Sequence, residues 1–206
     1  MSERFSNLKK IPEQPAKRLL AAGNAKLKTK LEAPANALVP VVLAELAEAE
    51  AWVDMLRLLS VSLPAREVVW WACLAGRDIM AQEDDESICL KSAEAWVFGP
   101  TEENRAKLAQ VLETESSGDK AALCATAAYY APGTLGMGEM EKHPAPVGVV
   151  AACAFGINLK TLKIGKDTDF RFELAIERAL DIARGGNGAV ELEAKAAAAP
   201  APAQSA

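Results

Sequence analysis

The run Val68-Val69-Trp70-Trp71-Ala72-Cys73-Leu74 decides the fold. Successive residues of an α-helix point about 100 degrees apart, so seven apolar side chains in succession cover every face of a helix and not one stripe. A helix of that kind must be covered on more than one side, and the spacing predicts one over residues 65–80 in a central position. Alanine supplies 41 of the 206 residues, and it has the highest helix propensity because it loses no side-chain entropy on ordering. Half the chain is hydrophobic and a quarter is charged, a globular composition that disfavours disorder, collagen and a membrane bundle. The expectation is an all-α fold, a single compact multi-helix domain of about seven or eight helices.

Working outward, residues 40–64 carry Val42, Leu46, Val53, Leu56 and Leu59 near helical spacing, with Glu45, Glu48, Glu50 and Asp54 on the other side. They read as one helix, opened by Pro40 and closed by Pro64. A shorter helix is expected over residues 16–31, with Leu19, Leu20 and Leu27 on one stripe. Asp84, Asp85 and Glu86 supply favourable N-terminal charge for a helix ending near Val97, before Gly99-Pro100. Thr101 caps the next, to about residue 115. An alanine-rich helix spans residues 120–130, a Gly-dense loop follows over residues 131–138, and an apolar helix spans 146–162. The last helix, capped by Asp167 or Thr168, ends near Arg184 at Gly185-Gly186-Asn187-Gly188. The domain reading is a flexible N-terminal segment over 1–14, a helical domain over 15–184, and a Gly then Ala/Pro-rich disordered tail over 185–206. Ala49-Glu50-Ala51-Trp52-Val53 recurs as Ala93-Glu94-Ala95-Trp96-Val97. That spacing admits HEAT-like helical pairs, and it equally admits two tryptophans anchoring separate helices of one core.

Charge is segregated along the chain. Residues 1–32 hold Arg4, Lys9, Lys10, Lys17, Arg18, Lys26, Lys28 and Lys30 against Glu3, Glu13 and Glu32, so a +5 arm precedes a body of −10. Such an arm folds back on its own acidic body or reaches an acidic partner, nucleic acid being the less favoured case. Cys73, Cys89, Cys124 and Cys153 have apolar neighbours and read as buried and reduced. The uncharged apolar run over residues 144–159 is 16 residues and shorter than the roughly 20 needed to span a bilayer. No signal-peptide pattern opens the chain, and a cytoplasmic protein without membrane contact is expected.

One histidine and no CxxC pair argue against a zinc site, and neither a GxxxxGK[ST] nor a GxGxxG cradle occurs, so no metal or cofactor is expected. Glu139, Glu141 and His143 are the residues a small-molecule enzyme would have to use, although a solvated loop histidine is the plainer reading. Binding chemistry is better represented. Trp70 and Trp71 diverge on a helix, so one is expected to line a groove while the other fills the core. Tyr129 and Tyr130 beside the Gly-rich loop would wall the same groove. Trp96 and Arg105 join them as candidate partner-binding residues, with Arg66 and Arg77 as further anchors or acid-paired surface residues.

Trp70-Trp71-Ala72-Cys73, Ala95-Trp96-Val97 through Pro100 to Arg105, and the segment from Ala121 to Tyr130 ahead of the Gly/Pro-rich loop together form a pattern over residues 35–183. It resembles an uncharacterised helical proteobacterial family associated with type VI secretion gene neighbourhoods. The resemblance implies an adaptor or chaperone that holds an effector or spike component before export. The expected function is a non-catalytic protein-binding role. The alternatives are an immunity protein whose acidic body blocks a toxin, and a helical enzyme.

Overall fold

A computed structural model of the chain describes residues 3–84, 86–114 and 116–190. Among them lie α1 (Ala16–Ala22), α2 (Val39–Glu48), α3 (Trp52–Ser62), α4 (Ala65–Glu83), α5 (Ile88–Phe98), α6 (Glu102–Thr114), α7 (Ala122–Tyr130), α8 (Val149–Thr161) and α9 (Thr168–Arg184). The all-helical, single-domain fold is as the composition implied. The strand-like pairings among these residues are two isolated bridges, Pro15 with Leu38 and Thr134 with Pro144.

The seven-residue apolar run lies in α4, which packs against α5, α7, α8 and α9. Val69, Trp71, Ala72 and Cys73 have no exposed surface. Close approach at this hub depends on small side chains. A Cβ on Gly76 would lie 3.0 Å from both the Cys124 Sγ and the Leu90 Cδ1, so glycine sets how near α5 and α7 come to α4. The alanines of α7, Ala125, Ala127 and Ala128, are fully buried for the same reason. Trp71 ties α4 to α9 by donating its indole N–H to the Ala175 carbonyl at 2.9 Å.

Three expectations are revised. Residues 40–64 are two helices, because the chain reverses at Ala49-Glu50-Ala51. The Ala51 N–H bonds the Leu46 carbonyl and the Glu50 N–H bonds the Ala47 carbonyl, a Schellman closure with Glu50 at φ 51° where glycine is usual. The two Ala-Glu-Ala-Trp-Val copies are therefore not equivalent: one forms this reversal with Trp52 partly covered, the other lies inside α5 with Trp96 buried. The reading as two independent tryptophan anchors is the one this geometry fits. Asp84 adopts a left-handed conformation at the end of α4, and Ser87 is the N-cap of α5, accepting from the Leu90 N–H. Asp85 lies outside the described residues.

The N-terminal region differs most. Residues 3–14, expected to be flexible, are held down by Phe5, Leu8 and Ile11, all buried. The Lys10 N–H bonds the Ala183 carbonyl, and Arg4 pairs with Glu173 and Glu177 of α9. The helix expected over 16–31 stops at Ala22. Beyond it the chain is irregular, with Ala25, Leu27, Thr29, Leu31 and Ala33 partly covered and Lys26, Lys28, Lys30 and Glu32 outward. That alternation has a period of 2 and not the 3.6 of a helix. Gly185 closes α9 and Gly188 packs against Leu74 and Ile182. The expectation of a disordered tail falls, from residue 191 onward, outside the described residues.

Candidate functional site

The most exposed aromatic ring in the molecule is Phe98, at 69% exposure on the last turn of α5. Gly99 ends the helix there, so the ring has no following turn to shelter it. Trp70 stands edge-on to it, with ring centroids 5.5 Å apart. The Trp70 indole N–H donates to the Asn187 carbonyl at 2.7 Å, which fixes the ring. The Arg77 guanidinium lies 4.9 Å from the Trp70 ring and is itself held by Glu94 at 2.6 Å. That bond to Glu94 raises the Arg77 pKa, so the cation is permanent. Arg66 completes the frame by donating to the Val97 carbonyl at 2.7 Å, at the C-terminal end of α5. The result is a half-buried indole and a cation, each held by a hydrogen bond, beside an exposed phenyl.

The other sequence-selected residues divide sharply. Trp71 and Trp96 are core residues, at 0% and 5% exposure, and so are not available to a partner. Arg105 is also buried, at 1%. It donates to the Tyr129 carbonyl at 3.0 Å and to the carbonyl and hydroxyl oxygens of Thr134, both at 2.9 Å, with its guanidinium 5.2 Å from the Tyr129 ring. Its role is to hold the loop after α7, and the sequence pattern mistook a buried polar tie for a surface anchor. Tyr129 and Tyr130 are partly covered and stack edge to face at 5.0 Å. They do not share a groove with Trp70 and Trp71: the ring neighbours of Trp70 are Phe98 and Arg77, and those of Tyr129 are Tyr130 and Arg105.

The loop after α7 is an ordered flap. The Leu135 N–H bonds the His143 carbonyl and the Ala145 N–H bonds the Gly133 carbonyl, bracketing a short 3-10 turn over Gly138–Lys142. Glu139, Glu141 and His143 are all exposed on it, and Glu139 pairs with Lys142 at 2.8 Å. All four cysteines are buried, and none of them forms a disulfide. A hydrogen bond with Cys73, together with burial, pushes the Cys124 thiol well up, and burial pushes Cys153 up to about 11, so these thiols are protonated near neutrality. Among the described residues, no group of three or more His, Cys, Asp or Glu side chains is arranged to hold a metal ion. No helix among them is long and apolar enough to cross a membrane.

Sequence reading missed Phe98 and Asp54. Phe98 carried a signal, an aromatic side chain immediately before the helix-ending Gly99-Pro100. Asp54 carried none, since its place in the pattern matched the solvent side of a helix; it is in fact 3% exposed. Its Oδ2 accepts from the Lys28 and Thr29 N–H groups, both at 2.7 Å, and from the Thr29 hydroxyl at 2.8 Å, while Oδ1 accepts from Arg57.

A family model, described as a family of unknown function (DUF6931), matches residues 42–183, and the chain belongs to that family. No curated protein and no solved structure matches the chain. The matched region spans α3 to α8 and most of α2 and α9, including Trp70, Arg77 and Phe98, and it excludes the segment after α1.

Proposed function

We propose that this DUF6931 member is a non-catalytic protein-binding adaptor or chaperone in the cytoplasm, whose docking surface is the Phe98, Trp70 and Arg77 cluster. The observation that carries the reading is a large apolar ring left 69% exposed beside an indole and an arginine that are both fixed in place. Tryptophan and arginine dominate the energetics of protein interfaces because each combines a large buried area with a directional polar group. A surface whose side chains are already ordered loses less conformational entropy on binding, so more of the contact energy appears as affinity. The resemblance to a family found in type VI secretion gene neighbourhoods supplies the setting, and an effector or spike component is the cargo it implies.

The test is an affinity pull-down of tagged wild-type chain and a Phe98→Ser variant from native cells, with partners identified by mass spectrometry. Phe98 makes little of the core, so the variant should keep the thermal midpoint of the wild type and lose most of the captured partner. Full retention of that partner by the folded variant removes this surface from the reading. A single toxin recovered as a tight one-to-one complex would replace the adaptor with an immunity protein, whose acidic body of −10 over residues 33–206 matches a basic target.

A further inference from the structure

The segment after α1 presents a second surface with a different chemistry. Lys26, Lys28 and Lys30 face solvent on its outer side with Glu32 beyond them, and Lys17 and Arg18 are exposed on α1. The chain has acids enough to neutralise them, at a net charge of −5, and the same N-terminal region uses Arg4 and Lys10 in that way against Glu173, Glu177 and Glu67. Lys17, Arg18, Lys26, Lys28 and Lys30 have no ion-pair partner among the described residues.

Their spacing is fixed from below. The Asp54 carboxylate holds the N–H groups of Lys28 and Thr29, and the Glu45 carboxylate holds those of Glu32 and Ala33. The outward side chains recur on every second residue of the strap. Ammonium groups on alternate residues complement the carboxylates of an acidic peptide segment.

We propose that the outer face of residues 24–33 docks an acidic segment of a protein partner. Two features favour a peptide over a nucleic acid. Residues 24–33 contain no aromatic residue on which a base could stack. The −10 body repels a long phosphate polymer, whereas a short acidic segment meets only the local positive field. The proposal rests on the reading of this chain as a protein binder, but on residues remote in sequence from Phe98 and outside the family match, so the two are separable.

The probe is a fluorescently labelled polyglutamate peptide of about ten residues, long enough to span the strap, titrated with full-length protein and followed by anisotropy. The wild type should bind at low salt, and raising salt should weaken binding because exposed charges are screened. The triple variant Lys26→Gln, Lys28→Gln, Lys30→Gln should lose at least about tenfold in affinity, while Lys28→Arg and Phe98→Ser should bind as the wild type does. Circular dichroism of the triple variant should match the wild type, since only exposed ammonium groups change. Absence of peptide binding, equal binding by the triple variant, or tighter binding of an oligothymidylate of similar length overturns the proposal, the last in favour of nucleic acid. Loss of partner capture by Phe98→Ser with peptide binding intact would separate this face from the first.

Discussion

Two long segments outside the α-helices, residues 23–38 and 131–148, are each tied by a buried charge, the two of opposite sign. Asp54 collects N–H donors from the first, and Arg105 collects carbonyl and hydroxyl acceptors from the second. A backbone outside a helix has both kinds of group to satisfy, and a buried ion can take several groups of the complementary kind at once. The two ties differ in their counter-charge. Asp54 has Arg57 at 2.5 Å. Among the described residues, the partners of Arg105 are carbonyl and hydroxyl oxygens and the Tyr129 ring, with no carboxylate. An ion pair orphans a second charge when broken, whereas a lone cation removed takes its own desolvation cost with it.

This contrast sets the order of expected effects. Asp54→Ala leaves two amide N–H groups, a hydroxyl and Arg57 without their acceptor, and should cost about 3–5 kcal/mol. For a domain of this size that lowers the thermal midpoint by about 6–20 °C, and native-state hydrogen exchange should show protection lost at Lys28 and Thr29 while Leu135 and Ala145 in the flap keep theirs. Arg105→Leu should cost less, about 2–3 kcal/mol, with protection lost in the flap and retained in the strap. Equal costs, or exchange that spreads from one segment into the other, would break the comparison by showing that the two segments open together.

The smallest effect tests a place where the segments touch. Gly148, at φ 76°, sits against the Gly23 carbonyl so closely that a Cβ would collide with it. Gly148→Ala combines that collision with a left-handed conformation and should cost about 1–3 kcal/mol. Exchange protection should fall at both segment ends, at Ala25 in the strap and at Ala152, whose N–H bonds the Gly148 carbonyl. An unchanged Ala25 would show that the contact merely abuts and does not couple.

Much of the fold was legible because helices are specified locally. The all-round apolar run over Val68 to Leu74 placed α4 at the centre, Gly99-Pro100 ended α5, and the Asp167 cap and Gly185 bounded α9 within a residue. The N-terminal third was misread where two periods compete. Leu19, Leu20 and Leu27 fit a helical stripe on paper, but Leu27 lies on a strap whose burial alternates. Of the six candidate partner-binding residues, Trp70 alone stands in the exposed cluster, and Tyr129 and Tyr130 are partly covered elsewhere.

The sequence by itself determined most of the helical segments from α4 onward and that a crowded central helix needed cover on several sides, because propensity, caps and apolar period act within a few residues of chain. Tertiary structure alone decided which of two adjacent tryptophans stayed near the surface, that Arg105 and Asp54 went inside, and that the three strap lysines stayed out. Those outcomes depend on groups up to 117 residues distant, such as the Asn187 carbonyl that holds Trp70. A polar side chain is buried or exposed according to whether the fold brings it hydrogen-bonding partners, and those partners are fixed only when the helices assemble.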